Sequence, residues 1–179
     1  MLDDIESILI TRERIQERVE ELGAEISRDF SGKNPLLVGV LKGSFVFLSD
    51  LIRQISIPCE IDFMAVSSYG NKSQTTGAVQ IHMDLGQDIE NRHVIVVEDI
   101  LDSGLTLNYL VNYLGGRNPA SITLVTLLDK PTRRQTSVTA HYVGFEVSDA
   151  FVVGFGLDYA QKYRNLPFIG VLKPDIYSD

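Results

Sequence analysis

The stretch Val-Ile-Val-Val-Glu-Asp-Ile-Leu-Asp-Ser-Gly-Leu-Thr, residues 94–106, decides how the rest of this chain of 179 residues is interpreted. It begins as a run of β-branched residues, which predicts a strand buried on both faces of a sheet. It ends in acids, hydroxyls and a glycine, and the apolar residues that follow recur at helical spacing until Gly115-Gly116. The stretch therefore predicts a strand, a turn and a helix in direct succession.

The turn has the composition of an anion-binding site. Just before a helix N-terminus, free backbone N–H groups and the positive end of the helix dipole both face the turn. Ser103 and Thr106 add hydroxyl donors, and Gly104 lets a ligand approach the backbone closely. We therefore expect this turn to bind a phosphate.

Three carboxylates lie in the same stretch. Glu98, Asp99 and Asp102 fall within five residues and repel one another unless a cation, ligand hydroxyls or a proton relieves the repulsion. A ligand with a phosphate at one end and metal-bound vicinal hydroxyls at the other, such as a phosphorylated ribose, fits both the anion-binding turn and the cluster of carboxylates. The alternative is an ordinary strand–helix turn in which Asp102 or Ser103 caps the helix, although a cap does not require the preceding acid pair.

The composition predicts one compact domain spanning residues 1–179, with a hydrophobic fraction of 44%. The 16 basic and 24 acidic residues give a net charge of −8, which argues against broad nucleic-acid binding and against binding to anionic membranes. The single cysteine, Cys59, excludes an intrachain disulfide, and we find neither a signal peptide nor an apolar run long enough to span a bilayer. We expect a reduced, cytoplasmic protein.

Short strands alternate with helical patterns along the chain, which predicts an α/β fold with a mainly parallel sheet. One strand, residues 36–41, runs into Lys42-Gly43-Ser44 and a helix, a second junction suited to an anion, although the Walker A spacing is absent. A solvent-exposed side chain is the alternative for Lys42. The apolar helix near residues 45–55 fits either a core element or an interface between subunits.

Other segments also permit two interpretations. Residues 57–66 predict a strand, and residues 67–78 predict a polar loop that is either a solvated hairpin or a mobile lid. Lys130 lies at the strand end where open α/β sheets bind ligands, but an exposed lysine in a turn fits as well.

The polar residues 132–137 predict a surface loop. Phe151, further along the chain, fits a simple core position.

Five segments, in the same order, are similar to motifs of the type I phosphoribosyltransferases, and the last two select the bacterial 6-oxopurine (hypoxanthine) branch. The resemblance covers residues 41–174. The five segments are Leu41-Lys42-Gly43-Ser44, Ser67-Ser68-Tyr69-Gly70, the stretch 94–106, Asp129-Lys130-Pro131, and residues 151–166 with Phe-Val-Val-Gly, Leu-Asp-Tyr and Tyr-Arg-Asn-Leu.

The resemblance implies the type I phosphoribosyltransferase fold, in which helices flank a mainly parallel twisted sheet and a small hood is built from about residues 1–10 and 146–179. It implies transfer of the phosphoribosyl group from phosphoribosyl pyrophosphate (PRPP) to N9 of hypoxanthine or guanine, giving IMP or GMP and pyrophosphate. It also implies Mg²⁺ as cofactor, PRPP and a 6-oxopurine base as small-molecule partners, and a homo-oligomer, either a dimer or a tetramer.

The resemblance assigns a role to each position that matches a family motif, with Asp102 as the general base. The residues for ribose and 5′-phosphate are Glu98, Asp99, Asp102, Ser103, Gly104, Leu105 and Thr106. Those for pyrophosphate are Lys42, Gly43 and Arg164, and those for the purine are Lys130, Phe151, Val152 and Asp158. The lid residues are Ser68 and Tyr69, and the metal ligands are Glu98, Asp99 and Asp158. The peptide bond before Lys42 is expected to be strained or cis.

Two departures from the family pattern border the expected base pocket. Val147-Ser148-Asp149-Ala150 replaces what is commonly Ile-Pro-Asp and a charged residue, and Phe155 stands where tyrosine is common. The ranking of hypoxanthine, guanine and xanthine therefore stays open, and a xanthine–guanine enzyme is one alternative. The other is a non-catalytic PRPP-sensing regulator, which usually has a DNA-binding domain or a basic RNA-binding face, whereas this chain has a net charge of −8.

Overall fold

The structure is a computed structural model that describes residues 1–68 and 79–178. Two sheets and their flanking helices make up these ranges. The elements are β1 (Ile5–Ile10), α1 (Arg12–Asp29), β2 (Leu36–Leu41), α2 (Phe45–Gln54), β3 (Glu60–Ser68), β4 (Val79–Met83), β5 (His93–Leu101), α3 (Leu105–Gly115), β6 (Ser121–Asp129), β7 (Tyr142–Glu146), β8 (Val152–Val153), β9 (Ile169–Leu172) and α4 (Pro174–Tyr177).

The larger sheet has the strand order β4-β3-β2-β5-β6-β7 and is parallel except for β4, which pairs antiparallel with β3 at one edge. Successive residues of a strand point to opposite faces, so a strand covered on both sides must be apolar throughout. In β5, Val94 and Val96 pack with α3, while Ile95 and Val97 pack with α1 and α2 on the other face. The predicted α/β fold with a mainly parallel sheet is confirmed.

The two helices α1 and α2 cover one face of this sheet. Thr11 caps α1, since its hydroxyl accepts a hydrogen bond from the backbone N–H of Arg14 at 3.3 Å. In α2, Phe47 and Leu51 are fully buried, whereas Phe45 remains 46% exposed. Most of the apolar surface of α2 therefore belongs to the core. Among the helices of the described ranges, none combines the length and the apolar character needed to cross a bilayer.

The smaller sheet has the order β1-β9-β8, and its pairings are antiparallel. The two ends of the chain therefore meet in it, as the segments predicted to form a hood require. Two hydrogen bonds reinforce this meeting: the backbone N–H of Lys173 donates to the carbonyl of Asp4 at 2.9 Å, and the Tyr163 hydroxyl donates to the Asp4 carboxylate at 2.9 Å.

The boundaries predicted around β3 were wrong. The strand spans Glu60–Ser68 and not residues 57–66, because its pairing with β2 starts only at Glu60, opposite Leu36. Its last residues, predicted to begin a polar loop, instead pair with β4. The lid assignment of Tyr69 and of the Ser68 side chain falls outside the described part of the chain.

Candidate active site

A cavity of about 600 Å³ opens at the carboxyl ends of β2, β3 and β5. In a parallel sheet these ends lie at one edge, where the loops that follow the strands converge. The predicted site residues that line this cavity are Lys42, Gly43, Glu98, Asp99, Thr106, Asp158 and Arg164. Residues more than a hundred positions apart in the sequence therefore face one space.

A smaller hollow of about 90 Å³ adjoins the turn between β5 and α3. It is lined by the predicted phosphate residues Ser103, Gly104 and Thr106, together with Asp102. Glu98 and Thr106 line both spaces. A ligand could therefore extend from the turn into the larger cavity without leaving these residues.

The turn itself has the geometry of an anion site. Gly104 adopts a left-handed conformation, φ +81°, and α3 begins at the next residue. A β-carbon at Gly104 would overlap side chains of the segment 134–138, so only glycine fits here. The N-cap position of α3 thus belongs to Gly104 and not to Asp102 or Ser103, although the Ser103 hydroxyl accepts a hydrogen bond from the backbone N–H of Leu105 at 3.4 Å.

Glu98 and Asp99 directly follow the buried residues 94–97 of β5 and are only partly exposed. Burial, together with the neighbouring charge of Asp99, raises the pKa of Glu98 well above its ordinary value. Burial also raises the pKa of Asp99 to about 6, although a hydrogen bond from the backbone N–H of Ile100 at 2.8 Å opposes the shift. Two carboxylates held this way favour a cation or hydroxyl donors beside them.

The loop after β2 lies directly against this acid pair. The Leu41–Lys42 peptide bond is cis, as the resemblance led us to expect. Gly43 touches the carboxylate of Asp99, and Gly156, with φ +101°, touches the carbonyl of Gly43. The loop is therefore packed between β5 and the segment that follows β8.

Arg164 and Asp158 form an ion pair at 2.8 Å on the wall of the larger cavity. Arg164 also donates to the carbonyl of Gly156 at 2.7 Å, and the Asp158 carboxylate accepts the backbone N–H of Gln161 at 2.8 Å. The structure therefore places Asp158, which was assigned to the purine and to the metal, beside the arginine assigned to pyrophosphate.

Lys130 is 5% exposed, so the alternative of an exposed turn lysine is wrong. Its ammonium group donates to the carbonyl of Ala150 at 2.6 Å, and burial lowers its pKa. Phe151, which follows Ala150 in the sequence, is 37% exposed and stacks on Tyr177, with ring centroids 4.6 Å apart. Lys130, which follows β6, is thus bound to the residue directly before Phe151 and Val152.

Two arginines of the predicted surface loop 132–137 contact Asp102, and the sequence analysis missed them. Arg134 is largely buried, and its guanidinium donates to the carbonyls of Asp102 at 3.1 Å and Val138 at 2.7 Å. Arg133 contacts the carboxylate of Asp102. The sequence did contain one indication that these arginines belong to the site: they follow directly after the motif that contains Lys130.

The metal assignment can be tested against the donor groups present. Within residues 1–68 and 79–178, no group of three or more His, Cys, Asp or Glu side chains is close enough to hold a metal ion. Mg²⁺ is usually bound by one or two carboxylates with substrate phosphates and waters, not by an all-protein cage. Glu98 and Asp99 supply such oxygen donors, so these two residues fit Mg²⁺, whereas Asp158 is already paired with Arg164.

Comparison with known proteins agrees with this geometry. The family described as phosphoribosyl transferase domain matches residues 6–160, and the chain belongs to this family. The hypoxanthine-guanine phosphoribosyltransferase of Bacillus subtilis (strain 168) is 54% identical over 177 residues, which cover 99% of this chain and 98% of that protein. The predicted family is confirmed.

Two further relatives extend the comparison. The bifunctional protein TilS/HprT of Listeria innocua is 52% identical over the whole chain, which spans 28% of the length of that protein. A crystal structure of a hypoxanthine phosphoribosyltransferase from Staphylococcus aureus has a TM-score of 0.97 and 50% identity, covering 100% of this chain and 97% of that one. The predicted type I phosphoribosyltransferase fold is confirmed by this agreement.

Proposed function

We propose that this protein is a purine salvage enzyme that transfers the 5-phosphoribosyl group from PRPP to N9 of hypoxanthine or guanine. The products are IMP or GMP and pyrophosphate. Relatives that carry the corresponding name match this chain over its full length at 50–54% identity. The observation that carries the proposal is that the acid pair and the phosphate turn of one strand line two adjoining spaces that share Glu98.

In this reaction the bond between C1′ and the pyrophosphate oxygen breaks while positive charge develops on the ribose. N9 of the purine then forms the new bond to C1′ with inversion. The proton that leaves N7 passes to Asp102, the general base, whose carboxylate lies at the wall of the smaller hollow. Such positioned proton transfer typically contributes roughly 10²–10⁴-fold in rate.

The phosphoribosyl group is held at both of its ends. Backbone N–H groups of residues 103–106 bind the 5′-phosphate, with help from the hydroxyls of Ser103 and Thr106. Glu98 and Asp99 hold the ribose hydroxyls. Both carboxylates have raised pKa values, so they gain most from a ligand that brings hydrogen-bond donors or positive charge.

The pyrophosphate and the purine occupy opposite sides of the ribose. Lys42, the Gly43 backbone and Arg164 bind pyrophosphate, and the planar fork of Arg164 suits an anion with several oxygens. Lys130 faces the oxygen at position 6 of the purine, while Phe151 and Val152 bind its ring, and Asp158 lies beside it. Ser68 and Tyr69 belong to the lid that excludes water from the cationic centre.

Mg²⁺ is the proposed cofactor, and when bound it neutralises charge on the leaving pyrophosphate. Glu98 and Asp99 would hold it together with substrate oxygens. We further propose a homo-oligomer, dimer or tetramer, and a cytoplasmic location, which fits the free cysteine Cys59. Light scattering of the purified protein would measure the oligomeric state.

The decisive experiment incubates the purified protein with PRPP and Mg²⁺ and with each of hypoxanthine, guanine, xanthine, adenine and uracil, following pyrophosphate release. We expect release with hypoxanthine and guanine and none with adenine or uracil. A clear preference for xanthine over hypoxanthine would replace the proposed substrate. PRPP binding without release with any base would instead support the regulator.

A further inference from the structure

Arg133 bridges two carboxylates that come from different parts of the site. Its Nε atom lies 3.0 Å from Oδ1 of Asp102, and its Nη1 atom donates to Oδ1 of Asp149 at 3.1 Å. Asp102 belongs to the phosphate turn, whereas Asp149 lies two residues before Phe151. One guanidinium therefore links the general base to the segment that holds the purine.

The contact of Arg133 is made to one oxygen of the Asp102 carboxylate. Its Oδ1 atom is inaccessible to solvent and has no aligned hydrogen-bond donor, although the side chain as a whole is 39% exposed. The exposed part of the carboxylate is therefore the other oxygen, Oδ2. A carboxylate whose Oδ1 is held by a cation can rotate less, so Oδ2 stays directed at one position.

Residues 130–133 make two contacts with residues 149–150, which directly precede the proposed purine residues Phe151 and Val152. Residues 131–133 form a 3₁₀ turn directly after Lys130. The ammonium group of Lys130 donates to the carbonyl of Ala150. The guanidinium of Arg133 donates to the carboxylate of Asp149, the residue before Ala150. The segment thus fixes how far residues 149–150 lie from Asp102.

We propose that Arg133 is a positioning residue for proton transfer, which acts through Asp102 and is itself positioned by Asp149. The proposal rests on the proposed function, because it needs Asp102 to accept the purine proton. Arg133 is 52% exposed, and ion pairs of this exposure contribute little to stability. Its removal should therefore change turnover without unfolding the protein.

The test measures steady-state kinetics and Tm for Arg133→Gln, Arg133→Lys, Asp149→Asn and the double variant Arg133→Gln/Asp149→Asn. For Arg133→Gln we expect kcat with hypoxanthine to fall about tenfold to a hundredfold, as for a displaced catalytic group. The KM for PRPP should stay within about twofold, because the phosphate turn is intact. Tm should change by less than about 3 °C.

The remaining variants separate positioning from a general loss of structure. Arg133→Lys retains the positive charge and should recover part of kcat, while Asp149→Asn should lower kcat less and add nothing to Arg133→Gln. Arg28→Gln, an exposed arginine on α1, is the matched control and should leave kcat unchanged.

Two results would overturn the proposal. One is a kcat of Arg133→Gln equal to that of the unchanged protein. The other is a double variant whose loss equals the product of the two single losses, because Asp149 would then act independently. If the unchanged protein itself releases no pyrophosphate, the proposed function has failed and not this inference.

Discussion

Gly43 and Asp99 lie in direct contact at the ends of the neighbouring strands β2 and β5, and a β-carbon at position 43 would overlap the Asp99 carboxylate. Gly156 in turn lies against the carbonyl of Gly43, where a β-carbon at position 156 would overlap it. The Asp99 carboxylate therefore leaves no room for a side chain at position 43. The contact sets the distance between the proposed pyrophosphate loop and the acid pair.

Gly43→Ala should therefore displace the Asp99 carboxylate or the loop itself. We expect kcat/KM for PRPP to fall by about a hundredfold, since a shift of about 1 Å in a positioned group has effects of this size. Steady-state kinetics at varied PRPP concentration would measure this change in kcat/KM. Gly115→Ala, at the end of α3 where a β-carbon meets only ordinary van der Waals contact, is the control and should be close to unchanged.

Asp99→Asn should make the protein more stable at pH 8 while abolishing most activity. The folded-state pKa of Asp99 is raised to about 6 from 3.8, so its contribution to stability is complete below pH 3.8 and is lost as the pH rises through about 6. At pH 8 the ionised group then costs the fold at most about 3 kcal/mol, which the amide avoids.

Urea unfolding of both proteins at pH 5 and pH 8, without Mg²⁺ or PRPP, measures this difference. The increase in the free energy of unfolding caused by Asp99→Asn should be largest at pH 8. It should be smaller at pH 5, because Asp99 in the folded state is then already protonated. Asp175→Asn, at an exposed position in α4, is the control for the same change of side chain. Equal gains at both pH values would contradict the assigned pKa.

Asp102→Asn should lower kcat by about 10²–10⁴-fold, because the amide cannot accept the N7 proton. PRPP binding should be largely retained, since the phosphate turn depends on backbone groups. Stopped-flow kinetics and calorimetric PRPP titration measure the two quantities. Asp88→Asn, an exposed position before β5, serves as control. Unchanged turnover would remove Asp102 from the role of general base.

Arg18→Ala should destabilise the fold without changing the chemistry. The Arg18 guanidinium on α1 donates to the carbonyls of Val143 at 2.8 Å and Gly144 at 3.1 Å, both in the edge strand β7. Removing a donor from a partly buried carbonyl costs about 1–3 kcal/mol. Arg14→Ala removes a more exposed ion pair with Glu17 and should cost less than about 1 kcal/mol.

Thermal unfolding monitored by circular dichroism would compare the two arginine variants. We expect a clearly lower Tm for Arg18→Ala, and kcat at 25 °C unchanged for both. Equal Tm values for the two variants would show that the carbonyl contacts do not stabilise the edge strand.

The sequence by itself determined the strand, turn and helix of residues 94–106 and the α/β arrangement around them. The reason is that these features are local: a β-branched run predicts a strand buried on both faces, and a glycine between such a strand and a helical pattern predicts the turn. The motif resemblance added the site residues, and the structure gathers many of these around one cavity and an adjoining hollow.

Only the tertiary structure decided what depends on neighbours distant in sequence. The start of β3 follows from where β2 begins to pair, and the raised pKa of Asp99 follows from its burial beneath the Gly43 loop. The contacts of Arg133 and Arg134 with Asp102 were also hidden in the sequence. A charged residue in a polar loop has no periodicity, so only the packing of that loop on the phosphate turn shows which charges face the site.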